Sequence, residues 1–84
     1  MNYRLLLDVE VVDFMETLPR LEQLLLRRRF AQIQSSPGHF ADYQESAPDG
    51  RSLAVHIHGG FAISYWDDFA DRHVKIFSIR RADR

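Results

Sequence analysis

Between Arg51 and Trp66 the chain alternates with period two around a Gly-Gly pair, and nothing else in it constrains the fold as much. Leu53, Val55 and Ile57 alternate with Ala54, His56 and His58. After Gly59-Gly60, Phe61, Ile63 and Tyr65 alternate with Ala62, Ser64 and Trp66. Period two is the mark of a strand whose side chains point to opposite faces of a sheet. A two-residue Gly-Gly turn supplies the positive φ that a tight hairpin needs. The expected sheet has one apolar face of Leu53, Val55, Ile57, Phe61, Ile63 and Tyr65, and an open face of Ala54, His56, His58, Ala62, Ser64 and Trp66. Asp67-Asp68-Phe69-Ala70-Asp71-Arg72 reads as the next turn. Val74 to Ile79, apolar almost throughout, reads as a last strand inside the sheet.

An apolar sheet face needs a cover, and the N-terminal half supplies one. Tyr3, Leu5 and Leu7 mark a short first strand. Asp8 is an N-cap, and Val9, Val12 and Met15 or Leu18 recur at helical spacing through a short helix. Thr17 and Pro19 mark a new start, because Pro is tolerated only in a helix's first turn. The second helix runs from about Leu18 to Ser35. Leu21, Leu24, Leu25 and Ala31 lie on one side of it, and Leu26, Phe30 and Ile33 on another. So wide an apolar arc must bury two faces, one on the sheet and one on the first helix or a partner. Ser35-Ser36-Pro37-Gly38 stops it. The stretch to Gly50 reads as a long loop pinned by Phe40 and Tyr43 and closed by Pro48-Asp49-Gly50. The predicted order is β-α-α-β-β-β: an α+β fold, two helices on one face of a mostly antiparallel four-stranded sheet.

Eighty-four residues make one domain, spanning 1–84. A core this small is marginal, so a partner or a second copy, as in a homodimer, would add stability. There is no cysteine for disulfides or thiolate metal sites. No apolar run approaches the roughly 18 residues of a membrane span, and Asp8, Glu10 and Asp13 arrive too early for a secretory signal. The expected compartment is the cytoplasm. The net charge of −1 is unevenly spread. The first helix is acidic, Arg27, Arg28 and Arg29 form a basic cluster, and the C-terminal end carries Arg80, Arg81 and Arg84.

The element order, the Leu-Pro between two helices, the hairpin Gly59-Gly60-Phe61-Ala62-Ile63-Ser64-Tyr65-Trp66 and the closing Val74-Lys75-Ile76-Phe77-Ser78-Ile79-Arg80-Arg81 together resemble the RelE/ParE superfamily of type II toxins. The resemblance covers nearly the whole chain. It implies the toxin half of a toxin–antitoxin module of the kind tied to plasmid stabilization, bound by a cognate antitoxin. RelE-like members cleave mRNA on the ribosome and so inhibit translation, whereas ParE-like members act on DNA gyrase. RNA-cleaving members place basic residues on the second strand, an Arg after the aromatic residue that opens the third, and Arg with His or Tyr near the C-terminus. Here Ala62 follows Phe61, and His56 and His58 stand where Lys or Arg is expected. Arg80, Arg81 and Arg84 remain, without a following Tyr or His. The clamp is partial, which leaves a non-catalytic binding module as the alternative.

Two imidazoles at i and i+2 on a strand point the same way. His56 or His58 could serve as general base for a 2′-hydroxyl or general acid for a 5′-oxygen, with Arg51, Arg80 or Arg81 stabilising charge on a phosphate. They could equally be two histidines on a solvated strand face. Trp66 could stack a base, pack across strands or contact the antitoxin. Arg27 and Arg28 could form a phosphate patch, a solvated face or the partner of an acidic segment. No cofactor motif is present. His56 and His58 with Asp67, Asp68 or His73 make a weak metal signal, and Asp67, Asp68 and Asp71 read as turn chemistry rather than a metal loop.

Overall fold

The computed structural model of the chain describes residues 3–82, so Arg84 lies outside the described residues. Its elements are β1 (Arg4–Leu7), α1 (Val9–Glu16), α2 (Arg20–Ser35), β2 (Tyr43–Ser46), β3 (Ser52–His58), β4 (Phe61–Asp68) and β5 (His73–Arg81). They form a five-stranded sheet in the order β1-β5-β4-β3-β2, in which β1 runs parallel to β5 and all other neighbours are antiparallel. The α+β class and the helix pair agree with the sequence reading. The strand count does not.

The fifth strand, β2, lies in the stretch read as loop. Tyr43-Gln44-Glu45-Ser46 is an edge strand with three of its four residues exposed, so it shows no apolar alternation. Pro48-Asp49-Gly50 is the turn of the β2–β3 hairpin. Gly50 has φ +87°, and its N–H donates to the Ala47 carbonyl at 2.9 Å.

Asp8 caps α1 as expected, its carboxylate accepting from the Glu10 N–H at 3.1 Å. From α2, Leu26, Phe30 and Ile33 are buried, with Val11 and Met15 of α1, against Phe61, Ile63 and Tyr65 of β4 and Val74, Ile76 and Ile79 of β5. The second apolar side of α2 is left uncovered: Leu21, Leu24 and Leu25 are 68%, 49% and 50% exposed. No helix among the described residues is long and apolar enough to cross a membrane.

The closing strand is apolar almost throughout for two reasons. It is interior, as expected, and it carries a bulge. Ser64 pairs with Ser78 and Tyr65 with Ile76, which leaves Phe77 as the extra residue. The slip brings Val74 and Ile76 onto the same face as Ile79, which strict alternation would forbid.

A larger correction concerns the faces of β3. His58 pairs with Phe61, His56 with Ile63 and Ala54 with Tyr65. Directly paired residues share a face. The two histidines therefore lie on the helix side of the sheet, and Leu53, Val55 and Ile57 lie on the other side with Ala62, Ser64 and Trp66. The cause is the turn itself. A two-residue turn at Gly59-Gly60 sets residue 58 opposite 61, so even positions of β3 match odd positions of β4.

Helix α1 packs chiefly on β5, and α2 on β1 and β5. The helix side of β3 is thus covered by the segment after α2, and there a polar residue can be buried if its partners are supplied. His56, 8% exposed, is such a residue.

Candidate functional site

The residues singled out from sequence separate into four places. On the helix side, His56 Nδ1 lies 3.0 Å from Asp42 Oδ2, and the same oxygen accepts from the Ile57 N–H at 2.8 Å. Asp42 also donates its own N–H to the Val55 carbonyl. It therefore extends the β2–β3 ladder by one residue, half through its side chain. The Ile57 N–H, helped by His56, holds the Asp42 carboxyl below its ordinary range against a smaller effect of burial.

His58 stacks on His56 with ring centroids 5.9 Å apart and an interplanar angle of 14°. Burial, followed by the charges of Arg29 and His56, lowers the His58 pKa from its usual value. Phe40 meets His56 edge-on, and the Arg29 guanidinium lies 5.0 Å above Phe40. This is a packed polar cluster under a loop, with His56 Nε2 buried and unpaired.

Arg81 belongs to the helix side too. Its guanidinium lies 4.8 Å over Phe61. Consecutive residues of a strand face opposite ways, yet at the end of β5 Arg80 and Arg81 both border the cleft beside Ala62.

The open face holds the other candidates at its two ends. At one end the Arg51 guanidinium lies 3.8 Å over the Trp66 ring, and Trp66 meets His73 edge-on at 5.9 Å. At the other end Arg80, paired with Ala62, donates to Ser64 Oγ at 3.1 Å and to Glu45 Oε1 at 3.0 Å. Ser64 in turn donates to Glu45 Oε2 at 3.0 Å. Ala62 and Trp66 are four residues apart on β4, so the two ends stand roughly 13 Å apart at the usual strand rise.

Between the two ends the open face carries Leu53 and Val55 of β3, Ser64 of β4 and Ser78 of β5, none of them an imidazole or a cation. An open cleft of about 550 Å³ runs along Tyr43, Ile57, Ala62, Arg80 and Arg81. Arg27 and Arg28 are exposed on α2, distant in sequence and element from both ends.

A catalytic set of Arg51, His56, His58, Arg80 and Arg81 on one face is therefore not assembled. The register of β3 puts His56 and His58 on the helix side, and Arg51 stands at Trp66, away from the cleft that Arg80 and Arg81 share. Sequence reasoning also missed Asp42 and Glu45, since both lie in the stretch read as loop. The hint was there: Tyr43 and Glu45 alternate with Gln44 and Ser46 just before a Pro-Asp-Gly turn.

For metals, Asp68, Asp71 and His73 bring one ligand atom each within 4.8 Å of one another. His56 and His58 do not take part. Asp68 Oδ1 accepts from the Asp71 N–H at 3.0 Å, which is the turn chemistry expected of this segment.

Two helices laid on one face of a β1-β5-β4-β3-β2 sheet, with a free cleft on the opposite face, define the class: the chain has the fold of the RelE toxins. It resembles a chain of the archaeal RelE–RelB complex of Pyrococcus horikoshii OT3 over 100% of its length and 99% of that chain, with a TM-score of 0.81 and 18% identity. A chain of the RelBE2 toxin–antitoxin complex of Mycobacterium tuberculosis matches over 96% of this chain and 99% of that one, with a TM-score of 0.78 and 12% identity. The isolated RelE toxin of Escherichia coli matches over 98% and 86%, with a TM-score of 0.76 and 19% identity. No family model and no curated protein matches the sequence. What is shared is backbone architecture. Most side chains differ.

Proposed function

We propose that the protein is the toxin-fold component of a type II toxin–antitoxin module and works by binding a cognate antitoxin rather than by cleaving RNA. The fold supports the first half. Solved proteins of this architecture include ones captured with RelB, and α2 offers a surface for such a partner. Leu21, Leu24 and Leu25 stand exposed beside Arg27 and Arg28. That combination suits a segment with apolar anchors and acidic flanks.

The observation that carries the second half is the open face. Cleavage by a 2′-hydroxyl needs a base, an acid and cations converging on one phosphate. Here the strand positions between the two ends are Leu53, Val55, Ser64 and Ser78, which offer neither an imidazole nor a cation. His56 and His58 are on the other side of the sheet, and Arg80 is held by Glu45. Gyrase, the other target considered from sequence, has no particular residue of this structure in its favour.

The test joins two measurements. The protein is co-expressed with the product of the gene that lies beside its own, and it is assayed alone for cleavage of mRNA on ribosomes by primer extension. The expected outcome is a stable complex and no position-specific cleavage. Ribosome-dependent cleavage that disappears in Arg80→Ala would overturn the non-catalytic reading. Failure to bind the neighbouring gene product would remove the antitoxin reading.

A further inference from the structure

The ring formed by Arg80, Ser64 and Glu45 resembles an occupied anion site more than an ordinary surface ion pair. One guanidinium nitrogen donates to the Ser64 hydroxyl and the other to a Glu45 oxygen, while the hydroxyl donates to the second Glu45 oxygen. Both carboxylate oxygens are thus taken by donors that would serve two oxygens of a phosphate equally well. Ser64 is fully buried and so holds its hydroxyl in a fixed place.

Arg80 lines the open cleft, and so does Tyr43, which is 46% exposed. A cation beside an accessible aromatic ring is the pair of contacts that single-stranded nucleic acid uses, one for phosphate and one for a base. Tyr43 and Glu45 are both supplied by β2, so the same short strand brings the ring to the cleft and the carboxylate to the Arg80 that lines it.

We propose that Glu45 is an internal anion seated in a phosphodiester site built from Arg80 and Ser64, and that it is the residue that keeps single-stranded RNA out of this cleft. The carboxylate satisfies the guanidinium and repels a phosphate that approaches it. Removing it leaves the donors in place and facing solvent. The inference is independent of the antitoxin reading, because it concerns only the ligand charge that the cleft accepts.

The experiment measures binding of a short fluorescein-labelled oligouridylate by anisotropy for the wild type, Glu45→Ala and Glu45→Gln. Glu10→Ala, on the exposed side of α1, serves as a control with the same charge change as Glu45→Ala. Glu45→Ala is expected to bind about tenfold tighter than wild type, the worth of one charge-assisted contact. Its plot of log affinity against log salt should steepen by about 0.7, as one added phosphate contact on a single strand requires. Adding Arg80→Gln should cancel both changes, and Glu10→Ala should produce neither.

Glu45→Gln keeps the shape of the side chain and reports on the charge alone if the alanine variant unfolds. Its affinity should lie between wild type and Glu45→Ala. The proposal is overturned if Glu45→Ala gains no more than Glu10→Ala, if the gain survives Arg80→Gln, or if wild type already binds as tightly as the variants. Inorganic phosphate as competitor separates a simple anion site, from which it displaces the oligomer fully, from one that also holds the base. The latter outcome supports the part assigned to Tyr43, and full displacement removes it.

Discussion

The two faces of this sheet are both buried at their centres, but by different means. On the helix side, Phe61, Ile63, Tyr65, Val74 and Ile76 lie under Leu26, Phe30 and Ile33 of α2 and Val11 and Met15 of α1. On the opposite side no helix lies over Leu53, Val55 and Ala62, yet their exposures are 2%, 0% and 2%. The cover there comes from neighbours on the same face. Tyr43 stands beside Val55, Glu45 beside Leu53 and Arg80 beside Ala62. Long amphipathic side chains can shield apolar surface while their polar ends stay in water. One face is closed by elements, the other by side chains alone, and only the second can be altered by a single substitution without dismantling the fold.

That contrast can be broken most severely from the helix side. Phe30→Ala empties a site walled by α2 and the sheet and should cost about 3–5 kcal/mol. In a chain this short that is most of the total stability, and a urea midpoint would show it directly.

His56→Ala comes next, at about 2 kcal/mol, since it opens a small cavity and strips Asp42 of one partner. It sharpens the comparison because the cost should appear in unfolding. Any growth arrest caused by the protein should fall only as far as its folded amount falls. A variant that keeps full stability and loses all toxicity would return His56 to the chemistry.

Glu45→Ala on the open face should cost about 1 kcal/mol or less, because its partner Arg80 is half-exposed and Ser64 keeps one hydrogen bond. A loss as large as that of Phe30→Ala would mean that the side-chain cover is as rigid as the helical one.

The smallest effect is a dependence on pH. The folded pKa of His58 is lowered, chiefly by burial and then by Arg29 and His56. A depressed pKa means that the folded state takes up protons less readily than the unfolded one. The contribution of His58 is therefore intact above the unfolded value of about 6.5 and is lost as pH falls from there through the folded value. Thermal midpoints of the wild type should decline over that window, and His58→Gln should flatten the decline. Asp42, also lowered, acts in the same direction at more acidic pH, where stability present above its usual value of 3.8 is lost as pH falls through the folded one.

Tyr65 sits between the two regimes. Its hydroxyl donates to the Pro37 carbonyl, and burial pushes its pKa up to about 12. That bond ties the end of α2 to the middle of the sheet. It also sets the start of the segment that lays Phe40 and Asp42 over β3. The residues were legible as a strand position and a helix stop, but their meeting was not.

Much of the architecture was readable in advance. Asp8 and Pro19 marked helix starts, the Gly59-Gly60 pair marked a hairpin, and the interior position of the last strand followed from its apolar run. The orientation of β3 was also within reach, because the two-residue turn fixes which residues stand opposite each other. Reading the strands by hydrophobicity alone grouped Leu53, Val55 and Ile57 with Phe61, Ile63 and Tyr65, and so placed His56 and His58 on the wrong side. Edge strand β2 left only the turn Pro48-Asp49-Gly50 as a hint, since exposure on nearly every position removes the apolar alternation that marks a strand.

What the sequence determined by itself is local: where helices start, where turns fall and which residues alternate, since each depends on neighbours within a few positions. Tertiary structure alone decided what meets what. Glu45 reaches Arg80 across 35 positions of chain, Asp42 reaches His56 across 14, and a bulge at Phe77 decides which residues of β5 face the helices. Those pairings depend on the packing of the whole sheet. They set the chemistry of each face, because a charge is worth what its surroundings allow.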